Sequence, residues 1–217
     1  MTPDSPPSAG LLLVLSAPSG TGKTTLARRL IDQIPEAIFS VSFTTRGPRG
    51  SEQDGIDYHF VDVPTFHEKI RRGEFVEWAE VHGQFYGSPQ SVVHEALRRN
   101  KGLAVFDIDV QGGRAIKSAY PQTALVFVLP PSMEELERRL RERKTESERT
   151  IQSRLLAARS EIERGLDSYD YFVVNQDLER AYSQLYAIVV AERCRRGRLD
   201  LAPLKLDRPA SERAKGS

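Results

Sequence analysis

A glycine-containing turn near the start of the chain has the residue types that bind nucleotide phosphates. Residues 17–25 read Ala-Pro-Ser-Gly-Thr-Gly-Lys-Thr-Thr, between the apolar run 11–15 and a stretch, from about residue 23 to residue 33, that predicts a helix. Gly20 and Gly22 permit turns in which successive N–H groups point at phosphate oxygens. The N-terminus of the helix adds partial positive charge at the same place. The segment therefore predicts a phosphate-binding loop.

Two residues at the end of this loop have predicted roles with the nucleotide. We expect Lys23 to reach the β and γ phosphates of a nucleoside triphosphate and the Thr24 hydroxyl to bind Mg²⁺. The strict motif begins with glycine, whereas this chain has Ala17 there, and a plain strand-to-helix turn with a surface lysine is the structural alternative. Many GTPases, ATPases and small-molecule kinases share this loop, so it leaves the acceptor open. The predicted donor-binding residues of the loop are Ala17, Pro18, Ser19, Gly20, Thr21, Gly22, Lys23, Thr24 and Thr25.

Two arginines stand three residues apart in a segment that suits a second, smaller phosphate. Arg46 and Arg49 flank Pro48, and Tyr58 follows. A pair of guanidinium groups binds the oxygens of a phosphate monoester in forked fashion, and a phenol donates to a further oxygen. Each of these residues alone also fits a surface or packing role, so their joint order carries the prediction.

A carboxylate and two hydroxyl groups follow in two further segments. Glu77 lies in Phe-Val-Glu-Trp, and Tyr86 and Ser88 lie in Phe-Tyr-Gly-Ser. The N1–H and the exocyclic amine of guanine need an acceptor such as a carboxylate, whereas adenine presents no such pair of donors on that edge. Together with the two arginines, these side chains favour a guanine nucleotide as the acceptor.

Two aspartates follow the apolar run 103–106, in the sequence Phe-Asp-Ile-Asp-Val-Gln-Gly. Ligands of open α/β sheets bind at the carboxyl ends of the strands, which favours a functional role for both carboxylates. We expect Asp107 to lie near the water shell of the metal ion or the phosphate loop, and Asp109 to lie on the acceptor side. The alternative for Asp107 is a cap on the next helix.

The apolar pattern indicates an α/β fold. Apolar runs at 11–15, 103–106, 124–129 and 172–174 are each followed by a helix-compatible stretch, which is typical of parallel strands that are buried on both faces. The last helix has an apolar stripe that is expected to pack on the sheet. The stripe consists of Leu178, Ala181, Tyr182, Leu185, Ile188 and Val189.

Two segments depart from this strand-and-helix alternation. Residues 43–91 consist of short alternating segments with glycine-containing turns and predict a small inserted subdomain. Residues 133–164 are helical and rich in charge, and we expect most of these charges to lie on a solvated helix face.

Composition limits the classes of protein to which the chain can belong. The 217 residues are enough for one core with small insertions, and 31 Lys plus Arg against 30 Asp plus Glu give no basic excess for binding nucleic acid. The single Cys194 and the absence of an 18-residue apolar run predict a cytoplasmic protein without a membrane span. Residues 1–10, with three prolines, and the polar residues 205–217 are expected to be disordered.

Over residues 11–193 the chain resembles the guanylate kinase family. The shared motifs are Ser-x-Ser-x-Thr-Thr-Arg-x-Pro-Arg, Glu-Trp, Tyr-Gly-Ser and Asp-Ile-Asp-x-Gln-Gly. The resemblance implies a three-layer P-loop kinase fold with a central parallel sheet, an inserted mixed α/β GMP-binding region and a helical lid. The implied division is a nucleotide-binding core at 11–42, 92–132 and 165–204, a GMP-binding region at 43–91 and a lid at 133–164.

The resemblance also implies roles for individual residues. By it, Arg46, Arg49, Tyr58 and Tyr86 bind the GMP phosphate, and Ser42, Glu77, Ser88 and Asp109 surround the guanine, with Gly87 between the last tyrosine and serine. In the lid, Arg139, Arg143 and Arg154 match phosphate-contacting arginines, whereas Arg138 and Arg141 have no match. Asn175 matches a residue beside the adenine of ATP. The implied ligands are ATP, GMP or dGMP and Mg²⁺, and the oligomeric state stays open.

The expected mechanism uses positioning and charge neutralisation, with no general base, because the phosphate oxygen of the acceptor is already an anion. Lys23, Mg²⁺ and the lid arginines would balance charge on the transferred group while the acceptor arginines align GMP. One alternative is a non-catalytic interaction module with the same fold, although the intact phosphate loop argues against it. The other is a P-loop kinase for another acceptor, such as AMP, UMP or a ribose bisphosphate, against which Glu77 and Ser42 argue.

Overall fold

The computed structural model describes residues 10–81, 83–99, 102–142 and 147–198. Most of the predicted N-terminal lead-in, the predicted C-terminal tail and Arg143 of the predicted lid lie outside these ranges. The strands are β1 (Leu11–Ser16), β2 (Ala37–Ser40), β3 (Phe43–Thr44), β4 (His59–Phe60), β5 (Phe75–Val81), β6 (Gln84–Pro89), β7 (Leu103–Asp107), β8 (Ala124–Leu129) and β9 (Tyr171–Val174). The α-helices are α1 (Lys23–Gln33), α2 (Val63–Arg71), α3 (Gln90–Arg98), α4 (Val110–Ala119), α5 (Met133–Glu142), α6 (Glu148–Leu166) and α7 (Leu178–Arg193).

Five parallel strands form the central sheet, in the order β2-β7-β1-β8-β9. The four predicted apolar runs are confirmed as β1, β7, β8 and β9. The fifth strand, β2, was not predicted, because it is a four-residue edge strand whose first three residues are only partly buried. The phosphate loop follows β1 and the two aspartates follow β7, and these strands are neighbours in the sheet. Their carboxyl ends therefore bring the two segments together.

Helices cover both faces of this sheet, which confirms the three-layer α/β prediction. Alternate residues of β1 point to opposite faces: Leu11, Leu13 and Leu15 pack with α1 and α7, whereas Leu12 and Val14 pack with α3 and α4. The predicted apolar stripe of α7 packs on the first of these faces, where Leu185 is fully buried.

A second sheet, in the order β4-β3-β6-β5, forms most of the inserted segment. It is mixed, since β3 pairs parallel with β4 and antiparallel with β6. Its core is aromatic: the buried Phe66 of α2 stacks on Phe75 and Phe85, with ring centroids 4.7 and 5.5 Å apart. The sequence analysis did not place α2, although Asp62 caps it by accepting a hydrogen bond from the Thr65 N–H at 2.8 Å.

The charged segment forms α5 and α6, which pack on each other through Leu136, Leu140, Ile151 and Ala158. Helix α5 also rests on the phosphate loop. A Cβ atom added to Gly20 would lie 3.1 Å from side-chain carbons of both Leu136 and Leu140. Within the described ranges, no helix is long and apolar enough to cross a membrane.

Candidate active site

The loop after β1, the ends of β2 and β7 and the second sheet enclose a cavity of about 620 Å³. The predicted donor and acceptor groups meet in it. From the donor side come all nine loop residues, together with Asp107, and Asp109 of the predicted acceptor side also lines the cavity. From the acceptor side come Ser42, Tyr58, Glu77 and Tyr86. One cavity thus contacts both sets of predicted binding residues.

The phosphate loop depends on two glycines with left-handed backbone geometry. Gly20 has φ 97° and Gly22, the N-cap residue of α1, has φ 86°. The loop is braced from within, since the Thr21 hydroxyl donates to the Pro18 carbonyl at 3.0 Å. It is also braced by Asn175, whose amide donates to the Thr21 carbonyl at 2.6 Å. Asn175 therefore contacts the predicted donor site.

Replacing Gly22 by alanine is expected to lower the free energy of unfolding by more than the unfavourable backbone angle alone would. The left-handed conformation costs about 1–2 kcal/mol for any residue with a Cβ. At Gly22 that Cβ would also lie 2.5 Å from the Asn175 amide nitrogen, so Asn175 must leave the Thr21 carbonyl. Gly73→Ala is the matched control, because Gly73 has φ 65° with no atom within 4 Å of the added carbon. If chemical denaturation shows the same loss of unfolding free energy for Gly22→Ala and Gly73→Ala, the result contradicts the bracing role of Asn175.

Lys23, Thr24 and Asp107 form a connected group at the mouth of the loop. Lys23 Nζ lies 2.5 Å from Asp107 Oδ1 and donates to the Ile108 carbonyl at 3.2 Å. The Thr24 hydroxyl donates to Asp107 Oδ2 at 2.8 Å. The alternative for Asp107, a helix cap, is wrong, because the cap of α4 is Asp109, which accepts from the Gly112 N–H at 2.8 Å.

This group fits a magnesium ion that is held mainly by the nucleotide. The Thr24 hydroxyl and the Asp107 carboxylate are hard oxygen ligands side by side, which suits Mg²⁺ bound through one or two protein oxygens, phosphates and water. In the described ranges, no group of three or more His, Cys, Asp or Glu side chains is arranged to hold a metal ion. The protein alone therefore provides only part of a coordination shell.

Two of the predicted lid arginines reach the donor site. Arg154 Nη1 donates to the Ser19 hydroxyl at 2.7 Å, and Arg139 Nη2 donates to the Asn175 carbonyl at 3.0 Å. By contrast, Arg138 and Arg141 pair with glutamates on the exposed surface of α5 and α6. Arg139 and Arg154 thus differ in their contacts from Arg138 and Arg141, and Arg143 lies outside the described residues.

At the acceptor end, a carboxylate and a hydroxyl group form a largely buried pair. The Ser88 hydroxyl donates to Glu77 Oε1 at 2.5 Å, and Ser88 is fully buried. Burial raises the pKa of Glu77 above its ordinary value, with a smaller contribution from the nearby Asp109, while the hydrogen bond from Ser88 opposes the shift. Across β5 and β6, Glu77 pairs in register with Ser88, so the sheet itself brings the two side chains together.

The two arginines of the acceptor segment differ in their surroundings. Arg46 is 9% exposed and forms a two-fold ion pair with Glu52, at 2.8 and 3.0 Å. Its guanidinium carbon also lies 5.1 Å from the centre of the Tyr58 ring. Arg49, in contrast, is exposed and its side chain lies outside the cavity lining. Arg46 is not among the cavity-lining residues either, but its partners Glu52 and Tyr58 are.

Comparison with known proteins decides the family. The family model described as guanylate kinase matches residues 10–192. The chain belongs to the guanylate kinase family. It is 68% identical over 197 residues to a guanylate kinase of Myxococcus xanthus (strain DK1622), covering 91% of this chain and 94% of the relative. It is 62% identical over 193 residues to one of Anaeromyxobacter dehalogenans (strain 2CP-C), covering 88% and 85%.

A solved structure supports the same assignment. The crystal structure of guanylate kinase from Anaplasma phagocytophilum matches with a TM-score of 0.72 and 34% identity, covering 88% of this chain and 89% of that one. The fold and the family resemblance inferred from the motifs are therefore confirmed.

Four charged residues that line the cavity were not predicted as site residues. Arg28 of α1 donates to Asp57 Oδ1 at 2.6 Å, which ties the helix after the phosphate loop to the acceptor segment. Glu52 pairs with Arg46, and Glu161 of α6 enters the cavity, where burial raises its pKa. The sequence signal for Asp57 was its place beside Tyr58. The other three belong to ordinary charged stretches, and only the fold brings them to the site.

Proposed function

We infer that this guanylate kinase transfers the γ-phosphoryl group of ATP to GMP, giving ADP and GDP, with dGMP as a related acceptor. One observation carries the choice of acceptor: the cavity beside the phosphate loop contains the partly buried carboxylate of Glu77, held by Ser88. Guanine places two N–H donors on one edge, and a fixed carboxylate satisfies them. Adenine presents no such pair of donors, so the partly buried carboxylate would keep only the hydrogen bond from Ser88, which is costly.

On this proposal the donor and acceptor occupy opposite ends of the cavity. The phosphate loop, residues 17–25, binds the phosphates of ATP, with Asn175 near its adenine. Ser42, Glu77, Ser88 and Asp109 surround guanine, and Gly87 contributes to the same subsite between Tyr86 and Ser88. The GMP phosphate is bound by Arg46, Arg49, Tyr58 and Tyr86. We propose residues 43–91 and 133–164 as the GMP-binding region and the lid, which close over the two ligands.

The residues of the chain act by placing charge. Lys23 neutralises the β and γ phosphates, and Arg139, Arg143 and Arg154 add positive charge from the lid. Thr24 would hold Mg²⁺ directly and Asp107 would hold it through water, where the ion supplies further charge neutralisation to the phosphates. Because the GMP phosphate oxygen is already anionic, no side chain has to remove a proton. We place this reaction in the cytoplasm, since a free and exposed Cys194 suits a reducing compartment.

The test of the proposed reaction is release of ADP from ATP with each of GMP, AMP, UMP and CMP, measured by a coupled assay with purified protein and Mg²⁺. We expect turnover with GMP and, at lower efficiency, with dGMP. Activity with AMP and none with GMP would contradict the proposal. Binding of GMP without turnover would instead favour an interaction module.

Replacing Glu77 by glutamine tests base recognition. Glutamine keeps one acceptor but presents an amide to the guanine amine, so kcat/KM for GMP is expected to fall about 10- to 100-fold. In the wild type, kcat/KM should also fall with decreasing pH as Glu77 becomes protonated. Burial places that loss above the ordinary carboxyl pKa of 4.5, and it should be missing in the variant.

The matched control is Glu80→Gln, because Glu80 lies on the same strand but is exposed. It should keep wild-type kcat/KM and its pH dependence. A GMP phosphate group also titrates near pH 6, so the informative quantity is the difference between the two pH profiles. Identical profiles for the wild type and Glu77→Gln would refute the role of Glu77.

A further inference from the structure

A single carboxylate organises both arginines of the acceptor segment. Glu52 accepts from Arg46 Nη1 through Oε2 at 2.8 Å and from Arg46 Nη2 through Oε1 at 3.0 Å. Its Oε2 also accepts from the backbone N–H of Arg49 at 2.8 Å, and its own N–H donates to the Arg49 carbonyl at 3.0 Å. Glu52 therefore fixes the guanidinium of Arg46 and closes the turn that carries Arg49.

The pairing with Glu52 uses only some of the N–H donors of the Arg46 guanidinium. A guanidinium has five N–H donors in a fixed plane. Nη1 uses its two on the Gly47 carbonyl, at 2.7 Å, and on Glu52, and Nη2 uses one on Glu52. The Nε–H and the second N–H of Nη2 are thus left for the nearby Tyr86 hydroxyl and for a ligand. Two donors on neighbouring nitrogens are the arrangement that binds two oxygens of one phosphate.

The surroundings of Arg46 also restrict its motion. The side chain is 9% exposed, and its guanidinium carbon lies 5.1 Å from the Tyr58 ring centre and 5.9 Å from the Phe60 ring centre. The hydrogen bonds to Glu52 raise the pKa of Arg46 above its ordinary value, with a further contribution from the Tyr86 hydroxyl. The same pairing lowers the pKa of Glu52. A buried arginine without such a partner would be strongly unfavourable.

We propose that Glu52 is a positioning residue for the acceptor phosphate: it holds Arg46 by one edge so that its remaining donors face the phosphate of the substrate, and it fixes the turn that carries Arg49. Glu52 does not compete with the substrate in this arrangement, because it occupies different donors of the guanidinium. This inference rests on the proposed function for the identity of the substrate.

Glu52→Gln is the first test, with GMP and guanosine as probes. The amide of glutamine cannot accept from both nitrogens of Arg46, so the Kd for GMP, measured by calorimetry, is expected to rise about 10-fold. Guanosine lacks the phosphate, and its Kd should change less than about 2-fold. The KM for GMP should rise with the Kd, while the KM for ATP stays within about 2-fold of wild type.

Three results would overturn the proposal. The first is an unchanged Kd for GMP, and the second is tighter binding of GMP, which would make Glu52 a competitor. The third is an equal loss of guanosine binding, which would make Glu52 a general support of the fold. The matched control is Glu68→Gln, since Glu68 pairs with Arg71 and Arg72 on the exposed face of α2, and it should leave both Kd values unchanged.

A double substitution tests whether Glu52 acts through Arg46. This test remains informative even if one single variant is unstable. Because the glutamine oxygen can still accept from the Arg49 N–H, Glu52→Gln in the Arg46→Ala background is expected to weaken GMP binding by less than about 2-fold further. If the fold-increases in the Kd for GMP caused by the two substitutions multiply, the result contradicts the mechanism. Because binding is measured without turnover, wild-type protein that binds GMP but does not phosphorylate it would refute the proposed reaction and not the role of Glu52.

Discussion

Replacement of Lys23 by alanine is expected to lower kcat for phosphoryl transfer about 1000-fold. Lys23 is the ammonium group at the phosphate loop, and it lies 2.5 Å from Asp107 and 3.2 Å from the Ile108 carbonyl. Its loss removes positive charge where negative charge develops during transfer, and it leaves the Asp107 carboxylate to repel the donor phosphates. The measurement is kcat by the coupled assay with saturating GMP and ATP.

Lys117→Ala is the control for this experiment. Lys117 also pairs with an aspartate, Asp170 at 2.8 Å, and donates to a backbone carbonyl, that of Thr123 at 2.7 Å, but it lies outside the cavity lining. The control should lower the thermal stability of the protein and leave kcat within about 3-fold of wild type. A wild-type kcat in Lys23→Ala would contradict a role of the phosphate loop in the mechanism.

The second large effect is expected at Arg46. Its replacement by alanine should lower kcat/KM for GMP about 100- to 1000-fold, because it removes the buried guanidinium and leaves the Glu52 carboxylate without its partner. The KM for ATP should change little, since the hydrogen bonds and ring contacts of the Arg46 side chain are to residues of the acceptor segment. Steady-state kinetics with each substrate varied in turn separates the two parameters.

Arg71→Ala provides the comparison for Arg46, because Arg71 pairs with Glu68 in the same segment but is exposed. It should have wild-type kinetics. Arg46→Lys keeps the positive charge but loses the forked pair of N–H donors. Its kcat/KM for GMP should therefore lie between the values of the wild type and Arg46→Ala. A uniform loss of GMP and ATP affinity in Arg46→Ala would show that the substitution disturbs the fold and would contradict a specific contact with GMP.

Local sequence predicted the donor end of the site well. The phosphate loop needs only a strand, two glycines and a helix N-terminus in succession, so Lys23 and Thr24 were found without knowledge of the fold. Asp107 could be placed beside them because strand ends of a parallel sheet share one edge. The hydrogen bond from Thr24 to Asp107 follows from that arrangement.

The acceptor end was harder, because its contacts join residues whose relation depends on turns and on the second sheet. Glu52 looked like one charge among several, and only the closed turn around Arg49 brings it to Arg46. The sequence around Arg28 is typical of a solvent-exposed helix face, yet Arg28 pairs with Asp57 across the cavity. Arg49, predicted to bind the acceptor phosphate, has an exposed side chain, so its packing adds nothing to that prediction. Side-chain pairing across a fold has no local signature.

The position of Trp78 in the second sheet gives the chain a built-in optical probe. Trp78 is the single tryptophan of the protein, it follows Glu77 on β5, and it pairs in register with Gly87 between Tyr86 and Ser88. The residue is 48% exposed, and the centre of its ring lies 6.3 Å from that of Phe85. Excitation at the red edge of the protein absorption band therefore produces emission from the acceptor sheet alone, so occupancy of that sheet can be followed in unlabelled protein.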